Sequence, residues 1–419
     1  MVLLNSDEHA VPASIRVLAV ADSDSYLKWA CATLDRLGPA DDAGLSRSAM
    51  IVKTPIAPTT GQIAAAVAGS SVVRPSVLSL RELGRRIRED VPDVVLIAAT
   101  GPVAEVLARV IVRATGDRRP ALVTGLPGMA LPATREGTAR RRWCDAFVVH
   151  SRREIEAYRE AFAVQGVTPD VPLAQLPFLE HTSQNLGTEA VKRVAFAAQA
   201  KVPDNQPDRV TLLDRLARLS EDGFEVIVKL RARKGERQTH NEAFPYDDLW
   251  EAEHARLGHD RAALHFVDGP MAEWLQPGTA LMTVSSTAAM ESLALGLSTA
   301  IIDDFGVTPE LLNEPFAGSG CVMSVADAAE AFRAGGPDPD PTWLDENYLH
   351  GGESELPASV RRLAGRRAAG NLTELRDVKP WQRSRYIRMA LQMYLPKFLY
   401  DVVRLSTRPV RLLFLDKKA

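Results

Sequence analysis

The sequence predicts an α/β protein made of two Rossmann-like domains that face a cleft, followed by a basic helical tail at the C-terminus. Three observations lead to this fold class. The 419 residues exceed the roughly 250–300 at which a single hydrophobic core stops growing. Short apolar runs alternate with helical patterns, as in a parallel, doubly wound sheet. The alternation breaks off after residue 163 and starts again near residue 190, which indicates a second domain.

The first domain is predicted over residues 1–180. Its strands are short apolar runs that suit burial on both faces of a parallel sheet, at 15–21, 94–99 and 145–151, and residues 121–128 predict a strand followed by a glycine loop. Helical patterns are found at 26–37, 79–89, 102–115 and 152–162. The stretch 38–78 is rich in Ala, Ser, Pro and Thr and predicts a loop.

A linker is predicted near residues 177–190, where prolines and glycines interrupt any regular period. The second domain follows over 190–375, and the basic tail over 376–419. The predicted strands of the second domain are 193–199, 224–230, 263–269, 280–286 and 299–305, and its clearest helices are 209–220 and 287–295.

The composition, 46% hydrophobic and 25% charged, is that of an ordinary globular protein. A net charge of −3 argues against a general nucleic-acid-binding protein, which normally carries a basic field. Cys31, Cys144 and Cys321 lack metal-ligand spacing, so neither a zinc site nor a disulfide framework is expected. The sequence shows no signal-peptide pattern, and no apolar run approaches the ~20 residues of a membrane-spanning helix. We therefore expect a cytoplasmic protein.

The segment 283–304, TVSSTAAMESLALGLSTAIIDD, carries the clearest chemical pattern. A strand ends at Ser285, Ser286 and Thr287, and a helix begins at once, so that hydroxyl groups and free helix N–H groups suit a phosphate. Glu291 lies one turn into the helix, where its carboxylate can accept hydrogen bonds from ribose hydroxyls. A well-capped βαβ unit without a ligand is the alternative, because capping alone accounts for Ser286 or Thr287.

Positive side chains follow the second strand of this domain. Lys229, Arg231 and Arg233 alternate along an extended segment, which places all three on one face. Such charges suit a donor that carries phosphate and carboxylate groups. A solvated surface run is the alternative, because Lys234 and Arg237 are close in sequence.

The segment 190–305 resembles the donor-binding half of GT-B glycosyltransferases. It is most similar to bacterial polysialyltransferase-like and Kdo-transferase-like enzymes, and a group of actinobacterial glycosyltransferase-like proteins is similar over most of the length. In those enzymes a Ser-Ser or Ser-Thr pair at this turn holds the donor phosphate, which implies that role for Ser285 and Ser286. The His-Pro pair that family members carry after an earlier strand is absent, and the basic run from Lys229 stands near that place.

The resemblance implies further roles. Nucleotide sugars in this fold meet their base after the strand 263–269, which implies base contacts to Asp268, Gly269 and Met271. A plain β-turn accounts for those three residues equally well.

The loop after the first strand often supplies the general base or an acceptor contact in GT-B enzymes. This implies Asp22 or Asp24 as the base and Ser25 as an acceptor contact, because an inverting transfer needs a group that takes the proton of the acceptor hydroxyl. Helix capping by Asp24 or Ser25 is the alternative. The Asp22-Ser23-Asp24 sequence also matches the Asp-X-Asp metal signature of GT-A enzymes. Its position after the first strand weighs against that, and we expect no metal.

The first domain offers other acceptor contacts. Gly125 and Gly128 follow a strand, and glycines let a backbone approach a ligand closely. Glu136 is a reserve base or an acceptor-binding carboxylate, with a solvated charge run as the alternative because arginines surround it. His150, at the end of a strand, is expected to be a satisfied polar residue at the sheet edge.

The tail is basic and amphipathic. From Lys379 to Lys418, ten Lys and Arg residues stand against Asp401 and Asp416, with aromatic and aliphatic residues between them. Such a segment suits an anionic membrane surface, and hence the inner face of a membrane. A C-terminal helix that packs back on the N-terminal domain is the alternative, and the two are compatible.

These patterns predict an inverting, metal-independent glycosyltransferase that needs no cofactor beyond its nucleotide-sugar substrate. By the resemblance, the donor is a CMP-activated ulosonic acid (sialic acid, Kdn or Kdo), and the acceptor is a cell-surface glycan or a lipid-linked glycan. A UDP-sugar transferase or a sugar-nucleotide epimerase of the same fold is the alternative. A nicotinamide-dependent dehydrogenase is disfavoured, because no Gly-x-Gly-x-x-Gly follows the first strand. A glycan-binding protein without catalytic activity is the third possibility.

Overall fold

The computed structural model describes residues 14–179, 185–230, 242–375 and 379–394, and the chain divides into two units. Unit 1 comprises Met1–Pro177 and Glu353–Ala419, and unit 2 comprises Phe178–Gly352. The division after Pro177 falls at the start of the predicted linker.

Unit 1 contains a six-stranded parallel sheet in the order β3-β2-β1-β4-β5-β6. Its strands are β1 (Ile15–Ala21), β2 (Leu45–Val52), β3 (Ser76–Leu78), β4 (Val94–Ala98), β5 (Ala121–Gly125) and β6 (Ala146–Val148). β1 and β4 are neighbours, with Val17 opposite Val94, and both are almost wholly buried, as in a sheet that helices cover on both faces. The strand order reverses between β1 and β4, so this is the switch point at which such sheets bind ligands.

Five helices connect these strands, namely α1 (Asp24–Asp35), α2 (Thr60–Val67), α3 (Leu80–Glu89), α4 (Gly101–Thr115) and α5 (Arg135–Arg141), and α6 (Arg152–Ala163) follows the last strand. Local signals define their ends. Ser79 and Glu82 form a capping box at the start of α3, in which each side chain accepts a hydrogen bond from the other residue's amide,. Leu80, Leu83 and Ile87 then recur at helical spacing and are buried, so α3 packs one face into the core.

The stretch 38–78, predicted as a loop, contains β2, α2 and β3 instead. The first half of β2 alternates half-buried residues with the exposed Ser46 and Ser48, so it shows no apolar run. It nevertheless pairs with β1 from Leu45, opposite Ile15, to Ile51, opposite Ala21. Pairing with a buried neighbour therefore decides a strand that the local pattern does not reveal.

Unit 2 repeats the strand order in a sheet of its own, β12-β11-β10-β7-β8-β9. Its strands are β7 (Arg193–Ala197), β8 (Glu225–Lys229), β9 (His265–Val267), β10 (Thr279–Thr283), β11 (Thr299–Ile302) and β12 (Val322–Met323). Leu281 of β10 lies opposite Ala195 of β7, so these two strands take the places of β4 and β1. The switch point of unit 2 therefore lies between the carboxyl ends of β7 and β10.

The helices of unit 2 are α7 (Gln206–Glu221), α8 (Tyr246–Leu257), α9 (Ala288–Ala294), α10 (Val325–Arg333) and α11 (Pro341–Glu346). α7, α8 and α10 bury apolar side chains against the sheet, among them Leu212, Leu216 and Trp250 with Phe196 and Met282 of the strands. Unit 2 thus has a hydrophobic core of its own, as an independent domain requires.

Two further helices, α12 (Leu356–Ala368) and α13 (Arg383–Tyr394), belong to unit 1. Leu356, Val360 and Leu363 join the core around β1 and α1, and α13 packs against α3 and α4. Residues 353–375, which the sequence pattern placed in the second domain, therefore lie in unit 1, because the apolar face of α12 is buried there.

The predicted fold class, two Rossmann-like α/β domains with a helical C-terminal region, is confirmed. Among the described residues, no helix combines the length and the hydropathy that crossing a bilayer requires.

Candidate functional site

The switch point of unit 2 joins two loops through one glutamine. The Gln199 side chain, just after β7, accepts hydrogen bonds at 3.0 Å from both the amide and the hydroxyl of Ser285, just after β10. One residue pair thereby fixes the two loops that border the crevice. Sequence reasoning did not select Gln199, although a polar residue directly after a buried strand was a signal for it.

This contact changes what Ser285 can do. Its side chain is 5% exposed, and its hydroxyl proton and amide proton are both directed at Gln199. Ser285 therefore builds the turn, and a donor phosphate would have to be held by the groups that follow it.

Ser286 and Thr287 are those groups. The Ser286 hydroxyl accepts a 3.2 Å hydrogen bond from the amide of Ala288, which leaves its own proton to donate. Thr287 precedes α9, and its side chain caps no amide of that helix. α9 has only 7 residues, so its dipole contributes little to anion binding. A phosphate site at this turn therefore depends mainly on the two hydroxyls.

Lys229 and Glu291 add charge at the same edge of the sheet. Lys229 is the last residue of β8, which pairs with β7, and Glu291 lies in the first turn of α9. Burial raises the pKa of Glu291, and the positive charge of Lys229 opposes that rise, so the two side chains interact electrostatically. A half-buried carboxylate beside a cation suits hydrogen bonding to neutral hydroxyls, such as those of a ribose.

Arg209 stabilises the loop that carries Gln199. Its guanidinium, 1% exposed, donates to the carbonyl oxygens of Gln199 at 3.0 Å and Ala200 at 2.8 Å. It also pairs with Glu242 and lies 4.5 Å from the centre of the Tyr246 ring. Arg209 thus fixes the backbone of the loop that carries Gln199, and sequence reasoning missed it because its partners are far apart in the chain.

The remaining donor-site candidates are less closely grouped. Asp268 and Gly269 are exposed after β9, and Met271 is half-buried. β9 is three strands from β10, on the order of 14 Å at about 4.8 Å per strand, so these residues do not join the cluster around Ser286. Arg231 and Arg233 lie outside the described residues. All five stay predictions.

In unit 1, Asp22 lies at the switch point between β1 and β4 and is fully buried, at 0% exposure. One carboxylate oxygen accepts from the amide of Thr100 at 3.0 Å and from its hydroxyl at 2.6 Å. The other oxygen has no hydrogen-bond partner among the described residues. Burial raises the pKa of Asp22 against the opposing effects of Thr100, Ser23 and the Arg141 charge. Asp22 thus joins the turns after β1 and β4 and is closed to solvent.

Asp24 differs from Asp22 in its access to solvent. Its side chain is 27% exposed at the start of α1 and accepts a 2.9 Å hydrogen bond from Lys28. The neighbouring Ser25 is exposed. The Lys28 bond is to Oδ2, and Oδ1 is buried with no hydrogen-bond partner among the described residues. Of the two predicted bases, Asp24 is therefore the one with a partly exposed side chain.

Two of the other acceptor candidates, Gly125 and Glu136, have structural roles. A Cβ atom on Gly125 would lie 2.8 Å from Cζ2 of Trp29, so tight packing accounts for that glycine. Hydrogen bonds from Arg140 lower the pKa of Glu136, which makes it a weak base. Gly128 is half-buried in the loop after β5. His150 is satisfied, as expected, since it accepts from the Trp29 indole and contacts the Ala174 carbonyl at 2.9 Å.

Comparison with known proteins gives one family and a group of fold relatives. The sequence family described as "Putative glycosyltransferase (DUF6716)" matches residues 17–363. A solved structure described as a "putative UDP-N-acetylglucosamine 2-epimerase from Listeria monocytogenes" aligns with a TM-score of 0.51 and 12% identity, over 85% of this chain and 95% of that one. The MnaA–UDP structure of S. aureus aligns with a TM-score of 0.51 and 11% identity, over 86% and 98% of the two chains.

At these identities the structural likeness shows the fold alone, a two-domain GT-B-like arrangement of α/β units. No curated protein matches the sequence. The finer resemblance to polysialyltransferases and Kdo transferases is not shown by these findings.

Proposed function

The chain belongs to the family described as "Putative glycosyltransferase (DUF6716)", and we propose from this premise that it transfers a sugar from a nucleotide donor to an acceptor. Unit 2 binds the donor nucleotide at its switch point. The observation that carries the proposal is the grouping of Ser286, Thr287, Lys229 and Glu291 along one edge of one sheet, around the turn that Gln199 fixes.

Each group has a distinct part in this proposal. The hydroxyls of Ser286 and Thr287 donate to a phosphate, Lys229 supplies a positive charge, and the Glu291 carboxylate accepts from ribose hydroxyls. As the sugar leaves, negative charge develops on the nucleotide, and preorganised donors with a fixed cation stabilise it. The reaction we propose needs no metal, because these groups take the place of a divalent cation.

The nucleotide of the donor has two candidates. The sequence resemblance to polysialyltransferase-like and Kdo-transferase-like enzymes, which the comparisons do not show, is the ground for a CMP-activated ulosonic acid, whereas the S. aureus fold relative is a complex with UDP. A CMP-sugar presents one phosphate and a UDP-sugar presents two, so the number of phosphate-binding groups distinguishes them. We propose a nucleotide sugar as the donor class and treat CMP and UDP as the two outcomes of the binding test.

For the proton transfer we propose Asp24, in an inverting displacement at the anomeric carbon. Its exposure and its position after β1 support this choice, since a general base has to reach the proton that it removes. Asp22 instead holds the turn.

A sugar-nucleotide epimerase is the second candidate function, because a fold relative carries that description. The two functions differ in their products. A transferase releases free nucleotide only when an acceptor glycan is present, whereas an epimerase converts the sugar nucleotide without one. Incubation of the full chain with UDP- and CMP-sugars, with and without glycan acceptors, and chromatography of the products, separates them. Acceptor-independent conversion of an intact sugar nucleotide would overturn the proposal of transfer.

A further inference from the structure

The helices α3, α4 and α13 of unit 1 carry a cluster of arginines that the proposed function does not use. We call it the arginine face. α13 contains three arginines and no acidic residue in its 12 positions, and it packs against α3 and α4. The members of the arginine face are Arg81, Arg109, Arg113, Arg383, Arg385 and Arg388.

Arg109 is the centre of this face. Its guanidinium carbon lies 5.0 Å from the ring centre of Trp143 and 4.5 Å from that of Tyr386, so the group makes cation–π contacts with two aromatic rings. Its Nε and Nη1 atoms are buried and have no hydrogen-bond partner among the described residues. The Arg109 guanidinium is therefore held in place by its aromatic neighbours. Its positive charge and these two N–H groups suit the binding of an anion.

A cavity of about 250 Å³ opens beside Arg109. It is lined by Arg109, Val112, Arg113, Gly116 and Trp143. Arg109 and Arg113 are four residues apart on one helix, so both guanidinium groups serve the same side of α4. Two guanidinium groups at the wall of a small cavity suit a phosphate group, which accepts paired hydrogen bonds from arginine.

The acidic groups nearby already have partners. The Glu105 carboxylate accepts from the Trp381 amide at 2.7 Å and pairs with Arg140 at 3.4 Å. Glu136 pairs with Arg140 at 2.7 Å and with Arg385 at 3.4 Å. Among the described residues, neither carboxylate forms an ion pair with Arg109 or Arg113. Burial raises the pKa of Glu105, and the charge of Arg109 acts on that carboxyl and opposes the rise.

Apolar side chains stand exposed on the same helix. Ile387 is 44% exposed and Tyr394 is 38% exposed, and the guanidinium of Arg81 lies 6.0 Å from the Tyr394 ring centre. Exposed aliphatic and tyrosine side chains between arginines are typical of helices that lie in a lipid headgroup layer.

The sequence that follows Tyr394 has the same character. Residues 395–419 lie outside the described residues, and they contain the basic residues Lys397, Arg404, Arg408, Arg411, Lys417 and Lys418 against Asp401 and Asp416. This basic segment follows α13 directly in sequence, after Tyr394, its last described residue.

We propose that the arginine face binds the anionic phospholipids of a membrane surface, with one lipid phosphate in the cavity between Arg109 and Arg113. The face attracts the membrane by charge, and Ile387 and Tyr394 enter the headgroup layer. This inference goes beyond the proposed transferase activity and does not depend on it.

The test is the binding of the full chain to lipid vesicles in a sedimentation assay. Vesicles of phosphatidylcholine alone are compared with vesicles that also contain phosphatidylglycerol. We expect binding to the anionic vesicles only, and we expect it to weaken as salt is raised. The double variant Arg113→Gln/Arg388→Gln should bind about 25-fold more weakly, at roughly fivefold for each charge removed near the surface.

Arg159→Gln is the matched control. Arg159 is an exposed arginine of α6, in a loose ion pair at 3.9 Å with Glu156, and its replacement should leave vesicle binding unchanged. Arg113 and Arg388 are both exposed, so the double variant should melt at the wild-type temperature.

Three results would overturn the proposal. The first is equal binding to neutral and anionic vesicles, or none to either. The second is wild-type binding by the double variant, which would assign the effect to residues 395–419 alone. The third is a raised melting temperature in inorganic phosphate, relative to chloride of equal ionic strength, without vesicle binding. That result would make the cavity a site for a free anion.

Discussion

Gln199 and Ser285 are 86 residues apart in sequence, and one side-chain oxygen of Gln199 accepts both the amide and the hydroxyl hydrogen bond of Ser285, each at 3.0 Å. This contact joins the loops after β7 and β10, the two strands at the switch point of unit 2. It places Ser286 and Thr287 where their hydroxyls are open to a ligand.

Gln199→Leu should destabilise unit 2. The variant leaves the buried amide and hydroxyl of Ser285 without an acceptor, which costs about 1–3 kcal/mol for each unsatisfied group. Gln199→Glu keeps an oxygen acceptor and is the matched control. Chemical denaturation of both variants gives the free energies of unfolding. Equal stability of Gln199→Leu and wild type would show that this contact does not hold the turn.

Asp24→Asn should lower kcat by about 100-fold or more, the usual contribution of a positioned general base. Lys28→Gln removes the ion-pair partner of Asp24 and leaves the carboxylate in place, so it should retain most of the activity. Asp22→Ala should act on stability, since it leaves the amide and hydroxyl of Thr100 unpaired. Wild-type turnover by a variant that lacks both aspartates would remove both from the mechanism.

The pH dependence of stability tests the environment of Glu291. Burial raises the pKa of this carboxyl above its ordinary value of 4.5, so the folded state binds a proton that the unfolded state has already lost. Between the ordinary and the raised value, folding therefore loses stability as pH increases. Glu291→Gln lacks this loss. As pH rises from 4.5 to neutrality, the free energy of unfolding of Glu291→Gln should therefore increase relative to that of wild type. Denaturant titration at several pH values measures this difference.

The same variant should lose affinity for the nucleotide. A hydrogen bond from ribose to a charged acceptor is worth about 1.5–3 kcal/mol, so a loss of roughly 10- to 100-fold is expected. Lys229→Met gives the opposite change in pH dependence, because it removes the charge that restrains the pKa of Glu291. A wild-type pH profile in both variants would contradict the described environment of Glu291.

Gly125→Ala tests whether Gly125 is required for packing rather than for acceptor binding. The added methyl group would lie 2.8 Å from Cζ2 of Trp29 and 3.0 Å from the Val148 carbonyl oxygen, and such overpacking costs about 1–3 kcal/mol. At Gly61, inside α2, an added Cβ meets no atom of the described residues within 4 Å. Gly61→Ala should instead stabilise the protein by about 0.4–1 kcal/mol. Equal melting temperatures for the two variants would contradict the packing role of Gly125.

The sequence predicted the buried strands well, because these strands consist of short apolar runs. β1, β4, β5, β7 and β10 are each buried along most of their length, and the apolar runs predicted all five. β2 is half-exposed and polar at its start, and β12 has only two residues. Their strand character comes from pairing with neighbours rather than from their own composition.

The site was harder to predict because its contacts are not local. A polar turn after a buried strand identified Ser285, Ser286 and Thr287, but only the fold shows that the Ser285 hydroxyl is used by Gln199. Likewise, Asp22 and Asp24 are near in sequence and equal in chemistry. Asp22 is at 0% exposure and bonded to Thr100 after β4, whereas Asp24 begins α1 with a side chain that is 27% exposed.

The central claim, a nucleotide site at the switch point of unit 2, is tested most directly by a thermal-shift panel. CMP, UDP, GDP, CDP and NAD are each added to wild type, to Ser286→Ala/Thr287→Ala and to the control Thr211→Ala, an exposed threonine of α7. A nucleotide at ~100 times its dissociation constant stabilises the folded state by about 2.7 kcal/mol, which raises the melting temperature. We predict a rise with CMP or UDP for wild type and control, with or without a divalent metal, and a lost or strongly reduced rise for the double variant. No rise with any nucleotide, or an equal rise in all three proteins, would contradict the account.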